Sequence, residues 1–174
     1  MQKKWYLQSD MLIAFSALIT STVAVIVAIY SAHIDREYAR ASVWPSVLFT
    51  RSYNEGEYSF VAMNQGNGPA IIHYVKLAVN DTLVYEWQDV FELAGLPSAR
   101  FTQSHLGSGI IRPGQQINAI TIHDATLLPK FLKLKLGAQM CFCSLYGDCW
   151  VSDGFRVPQE VAACIIEDEE RFLQ

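Results

Sequence analysis

The sequence has little charge and no run of basic residues. Lys and Arg together number 13 of the 174 residues, Asp and Glu number 17, and the formal net charge at pH 7 is −4. Proteins that bind nucleic acids neutralise phosphates with clustered Lys and Arg side chains. This composition therefore argues against a nucleic-acid partner.

The sequence also lacks the spacings that mark common thiol, metal and hydrolase sites. Its four cysteines follow the pattern C-x-C-x5-C-x14-C, without the C-x-x-C pairs of redox motifs and zinc knuckles. The segment "SHLGSGIIRPG" offers Ser104 and Ser108 as nucleophiles, but it has no strand–turn–helix pattern of a nucleophile elbow. We therefore predict a protein without catalytic residues, metal ligands or cofactor.

Apolar residues are concentrated near the N-terminus. Residues 11–32 contain no charged side chain, and a helix of that length rises roughly 33 Å, enough to cross a hydrocarbon core of about 30 Å. The run is longer than the apolar core of a signal peptide, and it lacks the polar face of a core helix. We predict a short flank at 1–10, a transmembrane helix at 11–32 and a helical juxtamembrane linker at 33–45.

The orientation of this helix is only weakly encoded. Lys3 and Lys4 precede it and Arg36 and Arg40 follow it, so the count of basic residues is even, and the α-amine favours a cytoplasmic N-terminus. Four cysteines fit an oxidising compartment. We expect a single-pass protein of the inner (cytoplasmic) membrane with a periplasmic domain. The inverted topology, with a cytosolic domain and reduced cysteines, stays open.

Small side chains form a stripe along the apolar helix at spacings of 3-4-3-4-3. Small residues allow two membrane helices to approach closely, and serine hydroxyls can hydrogen-bond between them. The stripe predicts packing against an identical copy or a larger membrane protein, within the lipid bilayer. Its members are Ala14, Ala17, Ser21, Ala24, Ala28 and Ser31.

After Pro45 the pattern changes to short apolar runs separated by turn residues. "SVLFTRSY" and "EYSFVAMN" predict a hairpin, "AIIHYVKLAVN" a long strand, and "KLKLGAQMCFCSL" with "CWVSDGFRV" a final hairpin. Residues 88–96 predict one or two helical turns, and the acidic residues 167–170 predict a solvated tail. We expect an antiparallel β-sandwich over 46–174, with a binding surface in the loops of 96–116.

One turn motif resembles a known class of domain. The pattern N-x-G-x-G-P-A, leading into the long strand, is similar to a turn of immunoglobulin-like bacterial adhesion and scaffold domains. Together with "ASVWP" and "CFCSLYGDCW", it resembles uncharacterised bacterial single-pass membrane proteins with an immunoglobulin-like domain. The resemblance implies that fold and no particular activity. In physical terms, the glycines permit positive φ and the proline fixes the entry to the strand. The motif residues are Asn64, Gly66, Gly68, Pro69 and Ala70.

The cysteines are disulfide candidates with an undetermined pairing. On one strand, Cys141 and Cys143 point to the same face, and a turn brings Cys149 within reach of either. Cys164 would join the C-terminal segment to this hairpin. A tetrahedral zinc site and free buried thiols are the alternatives.

These observations predict a membrane-anchored, non-enzymatic interaction protein. The helix would assemble in the membrane with itself or with a larger membrane protein, and the β-sandwich would present a binding surface. The alternative is a ligand- or metal-binding sensor domain that signals through its helix.

Overall fold

The computed structural model describes residues 9–54, 56–96 and 100–174 of the chain. The chain divides into two units, Met1–Ala41 and Ser42–Gln174. Most of the predicted flank at 1–10 lies outside the described residues. The predicted β-sandwich begins close to the boundary between the two units.

The first unit is built on one helix, α1 (Ser9–Ser42), of 34 residues. It contains no proline or glycine, and it ends three residues before Pro45, which disfavours helix at the residue preceding it. The hydroxyls of Ser16, Thr20 and Thr22 donate to carbonyls one turn earlier, which satisfies these polar groups within the helix. The helix is long and apolar enough to span a membrane, and none of its residues is buried.

The second unit contains two antiparallel sheets and confirms the predicted β-sandwich. The first sheet has the strand order β1-β2-β7-β5, and the second has the order β10-β9-β8-β3-β4, with β6 also paired to β3. The strands are β1 (Val47–Asn54), β2 (Glu57–Asn64), β3 (Ala70–Val79), β4 (Thr82–Val84), β5 (Phe101–Gln103), β6 (Gly109–Ile111), β7 (Gln116–Ile122), β8 (Leu136–Cys143), β9 (Cys149–Ser152) and β10 (Gln159–Val161).

Both predicted hairpins form. Strands β1 and β2 pair along their full length, and β8 pairs with β9 from Met140↔Ser152 to Cys143↔Cys149. The turn from β3 to β4 uses Asn80 and Asp81 at φ values of 50° and 67°, a conformation that Asn and Asp tolerate. The helical turns expected in 88–96 are α2 (Trp87–Leu93), and a second short helix is α3 (Leu128–Phe131).

The core lies between the sheets and is rich in aromatic rings. Tyr58 and Phe60 of β2 face inward, and Trp87 of α2 packs edge-on against Phe60 and Phe172, with ring centroids 6.4 Å and 5.1 Å away. Because Phe172 is buried, the C-terminus is docked rather than free. The acidic segment is thus only partly the solvated tail we predicted, since Glu170 forms an ion pair with Lys76.

Candidate functional site at the entry end of the sandwich

Several connections meet at the end of the sandwich where the chain enters β1. The starts of β1, β3 and β7 lie beside the ends of β2, β6 and β8. The registers that show this are Val47↔Asn64, Met63↔Gln116, Ala70↔Ile111 and Ile71↔Cys143. We call this end of the β-sandwich the entry end. Its loops are 65–69, 112–115 and 144–148.

Asn64 holds the entry end together through a fully buried amide. Its Oδ1 accepts hydrogen bonds from the backbone N–H groups of Ser46 (3.1 Å) and Gly66 (3.0 Å). Its Nδ2 donates to the carbonyls of Gly68 (2.8 Å) and Ile111 (2.9 Å). All the main hydrogen-bonding positions of the amide are therefore used, and one side chain joins the residue before β1, the end of β6 and the turn after β2. We call this arrangement the Asn64 clasp.

The two glycines of the motif are required by close backbone contacts. A Cβ on Gly66 would lie 2.4 Å from the carbonyl oxygen of Trp44, and one on Gly68 would lie 1.7 Å from that of Val43. Neither glycine has a positive φ, so our expectation of a left-handed backbone here was wrong. The Trp44 carbonyl also accepts from the N–H groups of Asn67 and Gly68. Residues 43–46 thus lie against the turn, immediately after the last residue of α1.

The sequence contained a signal for the buried position of Asn64. Alternation along β2 places residues 58, 60, 62 and 64 on the same face, and the first three are core residues. A polar residue on that face predicts a buried amide that needs partners. Its partners at Ser46 and Ile111 lie far away in sequence, and no local pattern indicates them.

The four cysteines form two disulfides. Cys143 and Cys149 are directly opposite on β8 and β9, with Cα atoms 4.0 Å apart, and we call this the hairpin bridge. Cys141 lies opposite Val151 and bonds instead to Cys164, with Cα atoms 5.7 Å apart, which we call the C-terminal bridge. The register of the hairpin therefore selects one of the three pairings that the sequence left open.

The two bridges are in contact with each other. The Sγ atoms of Cys143 and Cys164 are 3.7 Å apart, and those of Cys143, Cys149 and Cys164 all lie within 4.8 Å of one another. Cys141, Cys143 and Cys149 are buried, whereas Cys164 is partly exposed. Phe142, which lies between Cys141 and Cys143 on β8, is a core residue, so strand alternation directs the two cysteines to the outer face of the second sheet. The cysteine cluster lies on that face, beneath the segment that follows β10.

The predicted packing stripe lies on α1, in the first unit. All six of its residues are exposed, like most of α1. The hydroxyl of Ser21 donates to the carbonyl of Leu18 at 2.9 Å within the helix. Helix association itself stays a prediction.

The region 96–116, predicted as a binding surface, contains β5, β6 and their connections; residues 97–99 lie outside the described part of the chain. A polar groove there is lined by Ser104, His105 and residues 115–118. The ring of His105 is hydrogen-bonded to the Ser108 hydroxyl (2.8 Å), and both side chains are exposed. His123 pairs with Glu57 (2.6 Å) and Thr102 (3.0 Å) across the first sheet. Both histidines thus have structural partners in the described regions.

Comparison with protein-family models, with curated proteins and with solved structures found no match to the chain.

Proposed function

We propose that the chain is a single-pass, non-enzymatic accessory protein of the inner (cytoplasmic) membrane with a periplasmic β-sandwich. The observation that carries the proposal is α1: it is long and apolar enough to span a membrane, and none of its residues is buried. An apolar helix without protein partners needs lipid or another helix around it. The two disulfides support an oxidising compartment for the domain.

The strand order supports an immunoglobulin-like type of sandwich. Such domains have strands A-B-E-D in one sheet and C-F-G in the other. Both orders are reproduced when the letters A to G are assigned in turn to β1, β2, β3, β5, β7, β8 and β9. The bridges differ from that pattern, because neither connects the B and F positions across the two sheets. The fold commonly presents loops at its ends for binding.

Exposed apolar side chains near the entry end support an interaction surface there. Leu145 is 60% exposed, Tyr146 46%, Trp44 41% and Ile110, on β6, 58%. Clusters of exposed large apolar residues are typical of surfaces that contact another protein. These four apolar side chains and the groove beside Ser104 extend the predicted surface of 96–116 to the β8–β9 turn.

The orientation can be tested by labelling intact cells with a membrane-impermeant maleimide. We expect labelling only after reduction, because an exported domain has its cysteines in the two bridges. Labelling that needs cell lysis but no reductant would place a reduced domain in the cytosol. That result would refute the proposed location.

Helix association can be tested with two substitutions on the small-residue stripe. Ala24→Leu combined with Ala28→Leu should weaken self-association or capture of a membrane partner, because bulky side chains separate the backbones. Ile26→Leu, off the stripe, is the matched control. Chemical cross-linking in membranes and co-purification in mild detergent measure the change. A wild-type protein that is a lone monomer without partner in both assays would contradict the proposal.

A second candidate is a metal-binding sensor domain that signals through its helix. The clustering of three cysteine sulphurs within 4.8 Å favours it. Zinc close to one equivalent per chain, by elemental analysis of the purified protein after reduction of its disulfides, would support this candidate over the first.

A further inference from the structure

We infer that the cysteine cluster is a site for a zinc ion when its disulfides are reduced. Cys143, Cys149 and Cys164 would form the core of the site, and Cys141 would supply a fourth thiolate. The C-terminal segment would then be tied to the β8–β9 hairpin in either of two chemical forms. One form is the pair of disulfides, and the other is a single thiolate-bound Zn²⁺. This inference deepens the second candidate function and is independent of helix association.

The distance between the sulphurs of the two bridges matches that of a tetrahedral thiolate site. Zinc binds thiolate sulphur at about 2.3 Å, so neighbouring sulphurs in a tetrahedron are about 3.8 Å apart. The Sγ atoms of Cys143 and Cys164, which belong to different bridges, are 3.7 Å apart. All pairs among Cys143, Cys149 and Cys164 fall within 4.8 Å. On reduction, the bonded pairs need to separate only to the same spacing.

The fold places these ligands independently of the disulfides. Cys143 and Cys149 are held opposite each other by the β8–β9 ladder. Cys164 follows β10, which pairs with β9 through Val161↔Cys149. The C-terminus is anchored separately by the buried Phe172 and its N–H bond to the Val75 carbonyl. Reduction therefore leaves three sulphurs near one another, as a metal site requires.

The type of donor selects the metal. An all-sulphur, tetrahedral set suits zinc among the ions that commonly bind proteins, whereas calcium and magnesium take oxygen ligands. Burial of Cys143 and Cys149 keeps water away from most of the site, and the partly exposed Cys164 gives access to reductant and ion. Cys141 is bonded to Cys164 in the oxidised form and lies outside the compact trio, so it becomes the fourth ligand only when its side chain turns towards the trio on reduction.

Reduction of the disulfides precedes zinc binding, because the metal binds thiolate sulphur. Each disulfide accepts two electrons and two protons from a dithiol, which itself becomes a disulfide, and two thiols of the protein result. A phosphine does the same while taking oxygen from water to become a phosphine oxide. Zn²⁺ then binds the sulphurs as thiolates and releases their protons to solvent. Reoxidation requires loss of the ion, so the two forms exclude each other.

The test is zinc binding by the full chain in detergent, with and without a phosphine reductant. We expect one Zn²⁺ per reduced chain and none per oxidised chain, measured by elemental analysis after gel filtration. Cobalt substitution should give the charge-transfer absorption of thiolate ligands. The thermal midpoint of the reduced protein should rise when zinc is added, because an ion that binds only the folded state stabilises it.

Two cysteine variants separate this site from incidental binding. The double variant Cys143→Ala with Cys149→Ala should abolish stoichiometric zinc binding. This variant keeps the C-terminal bridge, so the folding of the variant can be checked before reduction. Cys141→Ala should retain one zinc with weaker affinity, since it keeps the compact trio. His105→Ala is the control for adventitious binding at a surface histidine. Reduced wild type without zinc, or equal zinc in the double variant, would overturn the inference.

Discussion

Replacing Asn64 with leucine tests whether the Asn64 clasp stabilises the domain. Leucine has the same branched arrangement of side-chain heavy atoms as asparagine, so the substitution removes the polar atoms while keeping the branched skeleton. It leaves the carbonyls of Gly68 and Ile111 and the N–H groups of Ser46 and Gly66 without their partner. The backbone groups lie in a site where Asn64 itself is 0% exposed.

The expected cost is a large part of the stability of a small domain. A buried donor or acceptor left unpaired costs about 1–3 kcal/mol, and those that water can reach cost less. The two carbonyl contacts are buried and the two N–H contacts are only partly buried. We therefore expect a loss of about 4 kcal/mol, against a total of about 5–15 kcal/mol for a typical domain.

The measurement is urea unfolding of the full chain in detergent, followed by tryptophan fluorescence with the disulfides intact. A loss of about 4 kcal/mol lowers the midpoint by about 2 M for a typical urea dependence. Asn118→Leu is the matched control, because Asn118 is exposed on β7 and its replacement should change stability by less than about 0.5 kcal/mol. A loss below about 1 kcal/mol in Asn64→Leu would refute the view that the clasp supports the entry end.

Three further changes test other parts of the structure. Gly68→Ala should destabilise the domain by at least about 3 kcal/mol, because its Cβ would overlap the Val43 carbonyl. Gly137→Ala is the control and should be nearly neutral, because the space around Gly137 is open. Equal urea midpoints for the two variants would contradict this prediction. Burial raises the pKa of Tyr58 to about 12, partly opposed by the Arg51 charge, so wild-type stability should be complete below pH 10 and fall from about pH 10 to pH 12. Its buried hydroxyl has no partner among the described residues, so Tyr58→Phe should keep or raise neutral-pH stability and lessen that alkaline fall; an unchanged pH profile would count against it. Removing the C-terminal bridge, which spans 23 residues, should cost about 3 kcal/mol, and removing the hairpin bridge, which spans 6, should cost about 2 kcal/mol, because a longer loop loses more entropy when it is closed. Thermal melts that show the reverse order would exclude this loop-entropy explanation.

Features that depend on local pattern were predictable from the sequence. An uncharged apolar run without proline or glycine specifies a long helix, so α1 was expected with nearly its observed end at Ser42. Alternating apolar residues bounded by turn residues specified both hairpins and the sandwich. The Asn80–Asp81 turn followed from two residues that tolerate positive φ. In each case the determining interactions lie within a few residues of one another.

Features that depend on distant partners were decided only by the tertiary structure. The glycines of the turn motif were expected for their φ values, but the backbone of Val43 and Trp44, some twenty residues earlier, is what excludes a side chain. The disulfide pairing depended on the register of β8 against β9 and on where β10 carries the chain. Sequence spacing fixes neither, because register and long-range approach follow from packing of the whole core.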